Sequence, residues 1–172
     1  GAFMKAAEEA RALAALMVDI GRQAGLPTAA LLTNMDVPLG NAVGNSLEVI
    51  EAIAVLRGAG PADLREVSLS LAAEMLRLAG IGTREECRTR AEAAVADGSA
   101  FETFARMTAA QGGDVAVLDN PANFPPAHAH RTVTADTTGY LTRLDAETVG
   151  RAAVLLGAGR AEKGSTIDHA AG

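Results

Sequence analysis

Aromatic residues are scarce: the 172-residue chain has no tryptophan, one tyrosine and four phenylalanines. Since 49% of the residues are nonetheless apolar, the core must be made of Ala, Leu, Val, Ile and Met, a set rich in strong helix formers that favours helices packed at short range. The single cysteine, Cys87, excludes an internal disulfide. Its neighbours Arg84, Glu85, Glu86 and Arg88 read as an exposed helix surface rather than a nucleophile's pocket. A reducing, cytoplasmic setting is expected. An excess of positive charge is also missing, with 15 Lys and Arg against 21 Asp and Glu and a net charge of −6. Nucleic-acid binding relies on clustered cations, and no basic stripe occurs, so no nucleic-acid partner is expected. The longest apolar stretches, such as 12–18, fall well short of the roughly 20 residues needed to span a bilayer. No charged-then-apolar leader opens the chain, and no membrane partner is expected.

Helical periodicity begins at once. Ala10, Leu13, Leu16, Met17 and Ile20 recur at three- and four-residue intervals within 5–23, with Glu8, Glu9, Arg11, Asp19 and Arg22 on other faces. Gly25 and Pro27 stop that helix, and the apolar run 28–33 has the length of a buried strand. A loop rich in Gly and Pro follows over 37–44, where α/β proteins commonly place ligands. Helices are predicted from Asn45 or Ser46 to Leu56, and from Pro61 to Leu78. Thr83 with Glu86 forms a capping box for a further helix through Val95, and another runs from Ser99 or Ala100 to Gln111. After an irregular, proline-rich stretch at 114–126, polar and apolar residues alternate over 130–135 and 139–144 around Asp136-Thr137-Thr138, a β-hairpin pattern. Asp145 then caps a helix through Leu156.

The fold class expected is therefore α/β: a mixed sheet flanked by helices, a partial α/β domain with a β-hairpin near its C-terminal end. Residues 1–126 form the helix-rich part and 127–172 the hairpin-helix part. The opening Gly1-Ala2-Phe3-Met4, and an end inside what reads as the start of a strand at 167–172, give the chain the look of a fragment.

Specific motifs sit on this frame. Residues 28–53, TAALLTNMDVPLGNAVGNSLEVIEAI, contain a PLG…AVGN…LEV string too long to arise readily by chance. The segment resembles the strand-loop-helix region of the pyrimidine-nucleoside and thymidine phosphorylases. Gly1-Ala2-Phe3-Met4 is similar to that family's GAFM segment, residues 107–113 (MTAAQGG) to its MxAAQGG, and 156–160 (LGAGR) with Thr166-Ile167-Asp168 to its LGAGR…ID stretch. The resemblance covers essentially the whole chain.

It implies a transferase that uses inorganic phosphate as co-substrate to cleave thymidine, uridine or deoxyuridine into free base and pentose 1-phosphate, working as a homodimer. It places the family's phosphate-binding residues, and its Arg, Ser and Lys at the base, outside these 172 residues, so the catalytic residues are unknown here and the isolated chain is expected to be inactive. Three features carry over. Phe3 matches a position lining the pyrimidine pocket, although it also suits a core aromatic. Leu39 and Ala42 match positions whose backbone carbonyls, with the side chain of Glu51, help hold a potassium ion. Hard oxygen donors from an irregular loop suit such a cation. Without the resemblance, Glu48 and Glu51 would read as solvated helix residues; with it, Glu51 is the expected ligand and Glu48 is structural. The alternatives are an anthranilate phosphoribosyltransferase-like enzyme, which the PLG…AVGN…LEV string disfavours, and a non-catalytic α/β interaction domain.

Other clusters carry less. His128 and His130 could share one side of a strand, but no further ligand lies near them in sequence. Gly157-Ala158-Gly159-Arg160 ends a helix rather than opening one, so it reads as a C-cap and not a phosphate loop. Ser165, Asp168 and His169 are too close in sequence to read as a triad, which is assembled from distant segments.

Overall fold

The computed structural model describes residues 4–160 and 162–172. Among them the regular elements are all helical: α1 Ala7–Gln23, α2 Asn45–Leu56, α3 Ala62–Leu78, α4 Arg84–Ala96, α5 Ser99–Ala110, α6 Ala116–Asp119 and α7 Ala146–Leu156, with a 3-10 turn at Pro121–Asn123. The sequence signals place α1 to α5 and α7 to within a residue or two, whereas the short α6 and the 3-10 turn lie in the stretch 114–126 expected to be irregular. Thr83 and Glu86 form the expected reciprocal capping box, and the Asp145 side chain accepts from the Thr148 amide at the start of α7. No helix among the described residues is long and apolar enough to cross a membrane.

The expected mixed sheet and hairpin are corrected by the structure, which contains no strand among the described residues. A strand requires a lateral partner for its amides and carbonyls. Residues 28–33 form no regular element, and no residue from 27 to 35 makes a backbone–backbone hydrogen bond to another described residue. The segment instead runs back along α1, where Thr28 packs against Gly21 and Ala30 and Leu32 face Ala14, Ala15 and Val18. Alternation over 130–144 likewise fails to produce a hairpin. Among the described residues, 127–144 make no backbone–backbone hydrogen bonds, and Val133, Tyr140 and Leu141 are each more than four-fifths exposed. With no apolar surface covering one face, period-two patterning has nothing to bury.

The core is built from α2, α3 and α4, with α5 packed against α2 and α4. Ile53 and Val55 of α2, Leu69 and Ala73 of α3, and Cys87 and Ala91 of α4 are buried. Small residues at Ala73, Cys87 and Ala91 let α3 and α4 approach closely, and this is the most extensive helix pair. Cys87 is therefore not on an exposed surface as its charged neighbours suggest: it is fully buried, with Sγ 3.6 Å from the Gly82 carbonyl. Arg84, Glu85 and Glu86 are exposed, because the helix turns 100° per residue, while Arg88 turns onto α3.

Charged side chains fasten the same pair. Arg88 of α4 donates to both Glu66 oxygens and to Ser70 on α3, and to Glu92 one turn along α4. The buried Glu74 receives Arg77 bidentately and Arg84 from across the pair. Arg57, at the C-terminal end of α2, lies 4.4 Å over the Phe101 ring of α5 and donates to the Leu118 carbonyl, joining three helices.

Arg88, with help from Ser70, holds the Glu66 carboxyl down from its ordinary 4.5 to about 2. A depressed folded-state value means that the pair's stabilisation is complete above about pH 4.5 and is lost as the pH falls toward 2. Glu66→Gln should therefore be less stable than the parent at pH 7, and the two denaturation midpoints, followed by helical circular dichroism, should converge on acidification. A difference that stays constant from pH 7 to 2 would contradict this assignment.

Candidate functional site

The loop at 37–44 precedes α2, and without secondary structure its amides need other acceptors. Carboxylates supply three of them. Gly40 N–H donates to Asp63 Oδ2 at 3.0 Å, Asn41 N–H to Glu51 Oε1 at 2.9 Å, and Gly44 N–H to Glu48 Oε1 at 3.1 Å. Glu48 and Glu51 come from α2 and Asp63 from the first turn of α3, so two helices grip one loop. The Gly40 amide is the main reason that the Asp63 carboxyl lies below the usual carboxylate range.

Gly40 takes φ +70°, open to glycine at little cost, and a Cβ there would fall on Glu51 Oε2. Glu51 is thereby pressed against the loop between Leu39 and Ala42. Of the four positions singled out in the sequence, Leu39, Ala42 and Glu51 are brought to one loop. Phe3 lies outside the described residues. Glu48 is structural in a specific sense, since it binds the amide that precedes its own helix. Asp63 had no signal in the sequence beyond being an acidic residue in a helix's first turn.

Leu39 and Ala42 also line a cavity of about 700 Å³ whose other walls include Asn34, Asp36, Lys5 and the start of α7. That wall is anchored by two contacts: Ala146 N–H donates to the Asp36 carbonyl at 2.9 Å, and Lys5 Nζ reaches Glu147 at 3.0 Å. Both basic residues on the lining, Lys5 and Arg143, are paired with carboxylates, Glu147 and Asp145. The cavity's positive charge is thus already neutralised.

Motifs far apart in sequence converge beside it. Asn45 Nδ2 donates to the Ala158 carbonyl at 2.7 Å, and Ser46 N–H to the His169 carbonyl at 3.1 Å. The AVGN, LGAGR and ID-containing segments therefore form one contact. Gly157 is a C-cap at φ +107° and accepts from the Asp168 amide, in keeping with a turn rather than a phosphate loop. A backbone carbonyl and the Glu48 carboxylate already occupy amides at the start of α2, which leaves less of that helix terminus for an external anion. His128 and His130 lie in the unpaired stretch, and no three His, Cys, Asp or Glu side chains among the described residues group as a metal site would require.

Known proteins share this pattern of residues. Residues 1–101 match the family model described as "Glycosyl transferase family, a/b domain", and 140–172 match "Pyrimidine nucleoside phosphorylase C-terminal domain". The whole chain is 49% identical to a pyrimidine-nucleoside phosphorylase of Geobacillus stearothermophilus, of which it covers 40%. It is 48% identical to a thymidine phosphorylase of Mycobacterium tuberculosis, covering 38%, and 44% identical to a pyrimidine-nucleoside phosphorylase of Bacillus subtilis, covering 40%. The chain thus spans about two fifths of the length of these curated relatives.

Gly44 tests the convergence of motifs. It is buried at φ +139°, and a Cβ on it would overlap the Ala171 carbonyl oxygen. Gly44→Ala should cost about 1–3 kcal/mol from backbone strain alone, read as a lower midpoint in chemical denaturation. An unchanged midpoint would show that 168–172 does not pack on this turn.

Proposed function

Because this chain belongs to the glycosyl transferase family, on its pyrimidine-nucleoside and thymidine phosphorylase branch, we propose that the protein containing it catalyses phosphorolysis of pyrimidine nucleosides. Inorganic phosphate attacks the anomeric carbon as the carbon–nitrogen bond breaks. The bonding pair leaves with the pyrimidine, whose carbonyl oxygen carries the charge until protonated, giving free base and pentose 1-phosphate. Such a leaving group calls for cationic or hydrogen-bonding groups at that oxygen. The observation that carries the reading is the 49% identity to a phosphorylase across every residue of the chain. A non-catalytic interaction domain has no comparable observation in its favour.

Within that activity, this chain supplies support rather than the reacting groups. Phe3 is assigned to the base pocket on the resemblance alone. Leu39 and Ala42 offer carbonyls and Glu51 a carboxylate to a potassium ion. The donor set fits: it is all oxygen with a single negative charge, and Glu51 already lies against the loop at Gly40 and Asn41, between positions 39 and 42 in sequence. The ion would supply fixed positive charge that holds the loop's oxygens together. The protein acts in the cytoplasm as a homodimer.

The complete protein should release thymine or uracil from thymidine or uridine only when phosphate is present, with pentose 1-phosphate formed in equal amount, followed by ultraviolet absorbance and phosphate consumption. The 172 residues alone should release no base. Phosphate-independent release, or none from the complete protein, would overturn the proposal.

A further inference from the structure

Three peptide amides of the 37–44 loop point at carboxylates, and one of those carboxylates, Asp63, reaches it from a different helix from the other two. The peptide plane makes this contact consequential. There are no cis peptide bonds among the described residues, so the Gly40 N–H and the Leu39 C=O, which share one planar trans unit, point in opposite directions. Fixing the hydrogen fixes the oxygen. Asp63 Oδ2 receives Gly40 N–H at 3.0 Å, so the Leu39 carbonyl is directed away from Asp63. The same reasoning applied to Asn41 N–H on Glu51 turns the Gly40 carbonyl away from Glu51. Of these two successive carbonyls, the Gly40 oxygen is thereby directed away from the Glu51 carboxylate.

Asp63 is well placed to hold its end rigidly. It lies in the first turn of α3, two residues after the N-cap Pro61, where a carboxylate is favoured by the exposed helix amides. Its second oxygen, Oδ1, is engaged by the Leu64 amide at 2.9 Å. Both oxygens are thus used, one on its own helix and one on the loop, and α3 is in turn locked to α4 through Glu66, Glu74 and Arg88.

We propose that Asp63 is a positioning residue that orients the Leu39 carbonyl toward the loop's cation, acting through the Gly40 amide and touching neither the ion nor the substrate. This rests on the reading of Leu39, Ala42 and Glu51 as potassium ligands. The role needs an acceptor oxygen at position 63 rather than a charge.

The test is the potassium concentration giving half of the maximal rise in Tm of the complete protein, with sodium as control, for the wild type, Asp63→Asn, Asp63→Ala and Glu51→Gln. Asparagine keeps an acceptor oxygen and should stay within about twofold of wild type, whereas alanine should raise the half-saturating concentration about fivefold, the effect of one lost hydrogen bond. Glu51→Gln should lose most of the potassium response. If the wild type responds and Glu51→Gln does not, yet Asp63→Ala saturates like wild type, the proposal is overturned while the cation reading stands. Asparagine and alanine variants displaced equally would also overturn it. A wild-type Tm indifferent to potassium would remove the cation reading itself, and this role with it.

Discussion

An irregular loop has to find acceptors for amides that a helix or strand would satisfy internally, and at 37–44 those acceptors are side-chain carboxylates. Hydrogen bonds to ionised acceptors are shorter and stronger than neutral ones, so Asp63, Glu51 and Glu48 hold Gly40, Asn41 and Gly44 in a fixed course. Each bond also orients the carbonyl on the other side of its peptide plane. The shape of the loop is thereby coupled to the two helices that carry the carboxylates. Their mutual placement depends on the α2–α5 core around Ile53 and on the ion pairs between α3 and α4.

A second consequence concerns the meaning of the conserved-looking strings. The glycines of LGAGR, and the Gly44 of AVGN beside a loop, invite a reading as ligand-binding motifs. In the structure their glycines solve close-approach problems instead: Gly44 has the Ala171 carbonyl where a side chain would be, and Gly157 faces Asp168. Asn45 and Ser46 then spend their hydrogen bonds on Ala158 and His169. What these motifs build is the seat of α2, which in turn aims Glu48 and Glu51 at the loop.

Much of this was legible in the sequence, and the reasons for the rest are physical. Helices announce themselves through local signals, such as the Thr83–Glu86 box and the Asp145 cap, because their hydrogen bonds close within four residues. Strands do not: the apolar run 28–33 and the alternation over 130–144 resemble strands, but whether they pair depends on a neighbour that pattern alone does not reveal. The burial of Cys87 was hidden by the charged residues beside it. Leu39, Ala42 and Glu51 were singled out through resemblance alone, whereas Asp63 gave no signal because a bond spanning 23 residues leaves no periodic trace. Glu51, ten residues from Asn41, would have been equally invisible from spacing alone.

Amide hydrogen exchange measured residue by residue tests the carboxylate-held loop most directly. Gly40, Asn41 and Gly44 should exchange far more slowly than residues 130–144, which make no backbone–backbone hydrogen bonds among the described residues, and protection at Gly40 should vanish selectively in Asp63→Ala. Exchange at these three amides as fast as in 130–144 would show that the carboxylates do not hold the loop, and the account built on them would fall.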